Sequence, residues 1–503
     1  MRIDSMLAAL PEPGGTLLVL PLILPVLGLL LAPLAGGRAL GRLALALLAL
    51  GLGVAATIAA ALYQSGAALQ YRLGGWLPPL GVTLRADGLS AAMLLVAATT
   101  LLAVALYAQR AFQVPRGVRE TRASLTFWTL SMGIWAGLNV ACLAQDLFTL
   151  FVALELLTFS AVPLVALDGR AETLAAALRY LLFALLGSLL YLLGTVLLYG
   201  SYATLDIALL AGRIAEAPTL PPAALAAAAL MTVGLLAKSA LFPLHLWLPP
   251  AHAGAPPAAS AILSALVVKA SFFIAVRIWF DLMPGLLSQP GAQILGALGA
   301  AAILYGGLMA LMQGRLKLLV AYSTLAQLGY LFLIFPLAGA GRGVLAGGMA
   351  QLAAHAFAKA AMFMAVGLMA AALGQDRVRD LGGIARALPI TVLAFGIGGL
   401  ALVGVPPSGA YLAKTLLDGA AAQTGQWWWS LAMQAGGLLT AAYLLRVFYY
   451  ALSGFARPPV LLGRPALYRE LVVLGLALSA LLLGLLPATV WESVELGRFA
   501  GRP

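Results

Sequence analysis

The sequence is short of almost everything a water-soluble protein uses to face solvent. Only 9% of its 503 residues are charged, where soluble domains carry about a quarter, while 63% are hydrophobic and the mean hydropathy is +1.02. A soluble globule is excluded, and so is a disordered chain. Cysteine is nearly missing: Cys142 has no second cysteine to pair with, which removes any disulfide scaffold. Iron–sulfur and zinc centres need clustered Cys or Cys/His ligands, and three histidines in all cannot supply them. No cofactor or metal is therefore expected. The net charge of +12 is spread thinly along connecting segments, so no nucleic-acid partner is expected either.

What the chain has instead is a succession of apolar runs of about 20 residues, the length that crosses a bilayer as a helix. Fourteen spans are read, at about 16–35, 43–62, 89–108, 125–143, 147–167, 177–200, 223–248, 259–281, 292–312, 317–336, 344–373, 387–420, 427–452 and 470–488. The expected fold is an all-α polytopic membrane protein with about 14 transmembrane helices, solvated by the lipid bilayer. The first span follows Asp4 and Glu12 and lacks a small-residue cleavage site, so it is read as a retained helix and not a signal peptide. No segment is left for a soluble domain. The longest connection, about 62–89, holds Leu73-Gly74-Gly75-Trp76-Leu77-Pro78-Pro79, where turn residues and an interfacial tryptophan suit a loop better than a helix. Connections after odd-numbered spans carry 17 Lys and Arg, and the other side, termini included, carries 8. Positive charge gathers on the cytoplasmic side. Both termini are therefore expected to face away from the cytoplasm.

The placement of charge is more informative than its total. Lys238, Lys269, Lys359 and Lys414, four of the five lysines, lie inside apolar runs, whereas all 24 arginines fall in or at the edges of connections. An ammonium in low dielectric can release its proton; a guanidinium cannot. Among 17 acids only Glu155 lies deep in a span. Ionisable groups at membrane depth are costly to insert and mark functional pathways.

Two spans are overlong and interrupted. The seventh carries Pro243 five residues after Lys238, and the twelfth carries Pro406 and Pro407 before Lys414. Proline removes a backbone donor and frees carbonyls, which at membrane depth is tolerable only beside a polar cavity. Spans four to eight and nine to thirteen form two five-helix units. An odd number of crossings inverts the second copy, and the two broken helices then occupy equivalent places. The layout, not residue identity, carries this repeat. The resulting division is 1–124 for the first three helices, 125–281 and 292–452 for the two units, and 453–503 for the last helix.

Several motifs appear in a fixed order. They are Ala153-Leu154-Glu155-Leu156-Leu157, the Ala237-Lys238 break with Pro243-Leu244-His245-Leu246-Trp247-Leu248-Pro249, Ala251-His252 with Ala255-Pro256, and Ser264-Ala265-Leu266-Val267-Val268-Lys269. Leu316-Lys317-Leu318-Leu319-Val320-Ala321-Tyr322-Ser323, His355-Ala356-Phe357-Ala358-Lys359 and the segment from Pro406-Pro407 to Lys414 follow. In this order the chain resembles, over essentially its whole length, the antiporter-like subunits shared by respiratory complex I, energy-converting membrane hydrogenases and Mrp-type cation/proton antiporters. The stretch from Leu73-Gly74-Gly75-Trp76 to Asp87-Gly88-Leu89-Ser90 looks most like the Mrp D-type subunits. Pro250, Gly254 and Gly314 stand where the family pattern commonly has acids.

The resemblance implies a proton-translocating subunit of a multi-subunit ion-pumping complex, with sibling membrane subunits as partners, protons as cargo and Na⁺ left open as a coupled ion. It implies a buried Glu155–Lys238 pair, Lys269 bridging the two halves and Lys414 facing the exit, with His355 and Lys359 as relay or structural support. His245 and His252 flank the break near the aqueous boundary, where proton uptake and loop ordering both stand. A bacterial cytoplasmic membrane is the implied location. The chain runs only about 15 residues past its last span, so no long lateral helix is expected and lateral contacts fall to sibling subunits. Alternatives are a pumping subunit of an NADH:quinone oxidoreductase or energy-converting hydrogenase, and a proton-coupled inorganic-carbon uptake subunit. An autonomous Na⁺ transporter would be expected to show more intramembrane acids or hydroxyl clusters. A redox enzyme would need a Gly-rich nucleotide loop or cofactor ligands. Trp427-Trp428-Trp429 reads as a headgroup anchor, and Gly343 with Gly347 as a close-packing face.

Overall fold

The computed structural model describes residues 15–115, 118, 120–216, 219–341, 343–453 and 459–498. Asp4 and Glu12, with the loop arginines Arg116, Arg119 and Arg457, lie outside the described residues. Among the described residues, twelve helices are long and apolar enough to cross a membrane: α1 (Gly15–Gly36), α2 (Ala39–Ser65), α3 (Gly88–Ala111), α4 (Arg122–Leu143), α5 (Leu147–Val165), α6 (Ala171–Tyr202), α8 (Pro257–Leu282), α9 (Pro290–Met312), α10 (Leu316–Ala340), α11 (Gly343–Leu373), α14 (Trp427–Leu452) and α15 (Leu467–Leu485). Two shorter apolar helices, α7 (Pro222–Lys238) and α12 (Pro389–Val403), stand where the seventh and twelfth spans begin. A second segment, α13 (Gly409–Gln423), follows α12 after a turn. At 17 and 15 residues, α7 and α12 fall short of the ~20 residues a bilayer asks for.

Helices in lipid turn their polar side chains inward, and the burial pattern follows that rule. The apolar windows of α8, α10 and α11 are 100%, 89% and 83% buried. These three carry Ser264, Lys269, Thr324, Gln327, Gln351, His355 and Lys359, all buried. Close approach elsewhere uses glycine. A Cβ on Gly234 would collide with the Gly187 carbonyl, which sets α7 directly against α6. Gly347 faces Leu416 and the Ala413 carbonyl on α13, as its small-residue spacing predicts.

One departure from an all-helical chain lies between α2 and α3. The connection read as a loop forms an antiparallel hairpin, β1 (Leu69–Arg72) with β2 (Thr83–Ala86), in the register Leu69↔Ala86 to Arg72↔Thr83. Four-residue strands are too short to show a period-two signature, yet the backbone at the membrane face must still find partners. The ladder continues onto the chain between α4 and α5 through Leu84↔Ala144. The turn residues Gly74 and Gly75 do sit at positive φ, as a reversal there requires.

Two connections are alike. Between α4 and α5, Asp146 bridges Asp206, with Leu147 N donating to Leu205 O (3.0 Å) and Ile207 N to Gln145 O (2.9 Å). Between α9 and α10, Arg315 bridges Arg377, with Leu316 N donating to Asp376 O (2.7 Å) and Val378 N to Gly314 O (2.9 Å). In each case the chain entering one helix, α5 or α10, pairs with the chain leaving the next, α6 or α11.

Candidate functional site

The first charged group follows from the break after α7. The helix stops at Lys238, and Pro243 keeps it from resuming before Leu248–Gly254. The carbonyls this frees are taken up locally. Ser239 N bonds Leu235 O, Leu241 N bonds Leu236 O, and the Trp247 indole donates to Ala237 O at 2.9 Å while stacking on Tyr180. With the helix ended, Lys238 reaches α5. Its Nζ donates to Thr158 Oγ1 at 2.7 Å, to Leu154 O at 3.3 Å and to Glu155 Oε1 at 3.3 Å. Ser188 of α6 donates to the same carboxylate oxygen. The expected Glu155–Lys238 pair is thus formed, and a threonine and a serine complete it.

The middle of the molecule holds two lysines without a carboxylate partner among the described residues. Lys269 is fully buried on α8, and its Nζ donates to Ser264 O at 2.7 Å, five residues back across a π-helical stretch, Leu263–Val267. Such stretches widen the helix and expose carbonyls to a side chain. Lys359 of α11, also fully buried, donates to Val320 O at 3.3 Å and to Ser323 Oγ on α10. Between them Ser264 Oγ and Thr324 Oγ1 share a hydrogen bond of 2.8 Å, and Thr324 Oγ1 also contacts Val320 O at 2.9 Å. His355, one turn before Lys359, is completely buried, and neither ring nitrogen has a protein partner.

The last part is built on the second break. Gln351 of α11 donates to Gln327 of α10 (2.8 Å), which donates to Leu402 O (3.4 Å) at the end of α12. The next carbonyl, Val403 O, accepts from Lys414 Nζ at 2.7 Å. Gly404 at φ +88 turns the chain there, and the Tyr330 ring lies 5.0 Å from the ammonium. Pro406 and Pro407 separate α12 from α13.

His245 and His252, the two histidines that flank the break, are both buried. They are 3% and 1% exposed. The turn that ends α7 folds back into the bundle, so His245 lies beside Phe242 and Tyr305 and His252 stacks on Phe363. Each Nδ1 lacks a protein partner.

Sequence reasoning missed the neutral groups Thr158, Ser188, Ser264, Ser323, Thr324, Gln327 and Gln351. It also missed a buried ionic network near the hairpin. Asp87 caps α3 and is fully buried against Arg277 at 2.5 Å; Arg277 also bonds Asp281 at 2.8 Å. Outside the spans, burial pushes the Asp206 carboxyl above its ordinary range, opposed by the hydrogen bond from Leu209 N and reinforced by Asp146.

A polytopic helical bundle with buried lysines on α7, α8, α11 and α13, one paired with a carboxylate and the others with neutral groups, defines a multi-pass membrane protein with ionisable side chains in its interior. A family described as NADH:quinone oxidoreductase/Mrp antiporter, transmembrane, matches residues 144–440, and the chain belongs to that family. It is 34% identical to the N subunit of the NADH-quinone oxidoreductase of Desulforudis audaxviator, covering 83% of each chain. It is 28% identical to the D-type subunit of the Na⁺/H⁺ antiporter of Alkalihalophilus pseudofirmus, over 88% of this chain and 87% of the relative. Its fold matches a chain of the Mrp complex from Dietzia sp. DQ12-45-1b with a TM-score of 0.86, at 24% identity, over 97% of this chain and 98% of that one.

Proposed function

We propose that this chain is a proton-translocating membrane subunit of a multi-subunit complex, moving protons sideways near the membrane midplane through Glu155, Lys238, Lys269, His355 or Lys359, and Lys414. The observation that carries this reading is that Lys269, Lys359 and Lys414 are buried on carbonyls, hydroxyls and an aromatic face and not on carboxylates. A static buried ammonium without a counter-charge is costly. A lysine that alternates between charged and neutral needs neutral partners that suit both forms. Separation of the Glu155–Lys238 pair would leave Lys238 desolvated and ready to pass its proton toward Lys269.

In this reading α7 with its continuation, and α12 with α13, each count as one broken crossing, which makes fourteen. Residues 125–281 and 292–452 are then inverted repeats flanked by 1–124 and 453–503. The matching pairs of bridged connections, Asp146↔Asp206 and Arg315↔Arg377, support this repeat. The arginine and lysine bias supports termini facing away from the cytoplasm of a bacterial cytoplasmic membrane. Sibling membrane subunits are the partners, by similarity to a chain of an Mrp complex. A second reading, a pumping subunit of an NADH-quinone oxidoreductase, is favoured by the 34% identity to the N subunit of such an enzyme. Both readings share one test. Lys238→Ala in the reconstituted complex should abolish proton flux while assembly persists; wild-type flux in that variant overturns the path. Repeating the assay with and without Na⁺, and with NADH as driver, separates the two hosts.

A further inference from the structure

Val320 O on α10 is approached by more donors than it can satisfy. Ser323 Oγ and Thr324 Oγ1 each lie 2.9 Å from it, and Lys359 Nζ lies 3.3 Å away. A carbonyl oxygen has two lone pairs. One of these donors must therefore turn elsewhere, and two of them have somewhere to go. Lys359 also reaches Ser323 Oγ, and Thr324 Oγ1 also reaches Ser264 Oγ at 2.8 Å, where either oxygen can be the donor. Ser264 is in turn the residue whose carbonyl holds Lys269 at 2.7 Å. The competition at Val320 O thus links the two buried lysines through one pair of hydroxyls.

Building on the proton-path reading, we infer that Thr324 and Ser264 are positioning residues that set on which of Lys269 and Lys359 the proton rests. With Lys359 protonated, its ammonium claims Val320 O and the Thr324 hydroxyl points to Ser264. With Lys359 neutral, Thr324 returns to Val320 O and accepts from Ser264, and the charge stands on Lys269. Transfer breaks one N–H bond at Lys269 and forms one at Lys359, with no change in oxidation state. Like charges within one low-dielectric cluster disfavour each other, so in this account the pair holds one proton and not two. The other titratable groups facing the pair are His355 on α11, His252 from the segment Leu248–Gly254 and Tyr443 on α14 beside Ser323.

The test is the pH profile of proton flux in the reconstituted complex. Thr324→Val keeps the shape and removes the competing donor, so the proton stays on Lys359. Flux at neutral pH should fall about tenfold and its alkaline limb should move up by about one unit, the scale of one net hydrogen bond. Thr324→Ser restores the hydroxyl and should restore both the rate and the profile. An unshifted profile in Thr324→Val, or a failure of Thr324→Ser to rescue, overturns the inference; a purely structural threonine would lower the amount of assembled complex without moving the profile. Lys269→Met separates the two levels. Normal flux there overturns the path itself, whereas lost flux there beside an unshifted Thr324→Val profile overturns only the role of the hydroxyls.

Discussion

Lys238 and Lys414 sit at the two helix breaks, but their partners differ. Lys238 has a carboxylate at 3.3 Å, whereas Lys414 has the Val403 carbonyl at 2.7 Å and the face of Tyr330. A carbonyl and an aromatic ring would hold a guanidinium as well as an ammonium. Lys414→Arg should therefore assemble normally and yet lose turnover, because arginine cannot deprotonate; near-normal proton flux would make Lys414 purely structural. Outside the spans, Asp206 allows a prediction with a sign. Its folded-state pKa lies above its ordinary value, so the folded chain binds that proton more tightly than the unfolded chain. The stability it contributes is complete below the ordinary value of about 3.9 and is lost as pH rises through the folded-state value. Asp206 Oδ1 also caps the helix Ile207–Ala215 through Leu209 N, a bond that asparagine can keep. Asp206→Asn should raise the melting temperature of the purified protein by a few degrees near pH 8 and leave it unchanged at pH 3; the opposite order would refute the buried-charge account. The burial of the lysines was legible in the sequence because a charge inside an apolar run has to be held in the interior of the bundle. Thr158, Ser188, Thr324 and Gln327 were not, because serine, threonine and glutamine satisfy themselves on any membrane helix and only tertiary packing makes them partners.

The broken helices show where sequence reading works at the scale of an element and where it stops. Proline at Pro243 and at Pro406 announces both interruptions, since the loss of a donor is local chemistry. The hairpin Leu69–Arg72 with Thr83–Ala86 is not announced, because pairing between short strands depends on what the neighbouring connections leave unsatisfied. Fourteen apolar stretches read as crossings, and the break is the physical reason two of them, α7 and α12, stay short. The position of α7 depends on glycine. Gly187 and Gly234 each place a would-be Cβ against the other's carbonyl, and Lys238 Cγ lies 3.2 Å from that of Gly187. Gly234→Val must push α6 and α7 apart. Overpacking of this kind costs about 1–3 kcal/mol, and the displaced helix end would take Lys238 away from Thr158 and Glu155. The expected result is a lower melting temperature together with lost proton flux, whereas Gly234→Ala should fall between valine and wild type. Equal, wild-type flux in both would show that this crossing does not position the lysine.

Across the whole molecule, an ionic network ties α8, the helix that carries Lys269, to its neighbours at one end. Arg277 closes α8 with a side chain that is 12% exposed, and its partners Asp87 and Asp281 are fully buried. Arg277 also donates to Ser90 Oγ, which donates to the Cys142 carbonyl of α4. Asp281 is shared with Arg498 at 2.6 Å, and Arg85 of the hairpin donates to Gly497 O. The network therefore joins α3, α4, α8, the hairpin and the segment after α15 into one fixed end, about two turns from Lys269. Removing one member of a buried ionic group strands the others, at a cost of about 3–5 kcal/mol. Arg277→Ala should lower the melting temperature of the purified protein strongly and expose the segment around Arg498 to limited proteolysis. Arg498→Ala removes only one of the two partners of Asp281, so it should free the same segment with a smaller loss of stability. The double variant distinguishes a shared clamp from two separate ion pairs: with independent pairs it would lose the sum of the single losses, whereas a clamp centred on Asp281 gives less than the sum because the second substitution breaks a network already open.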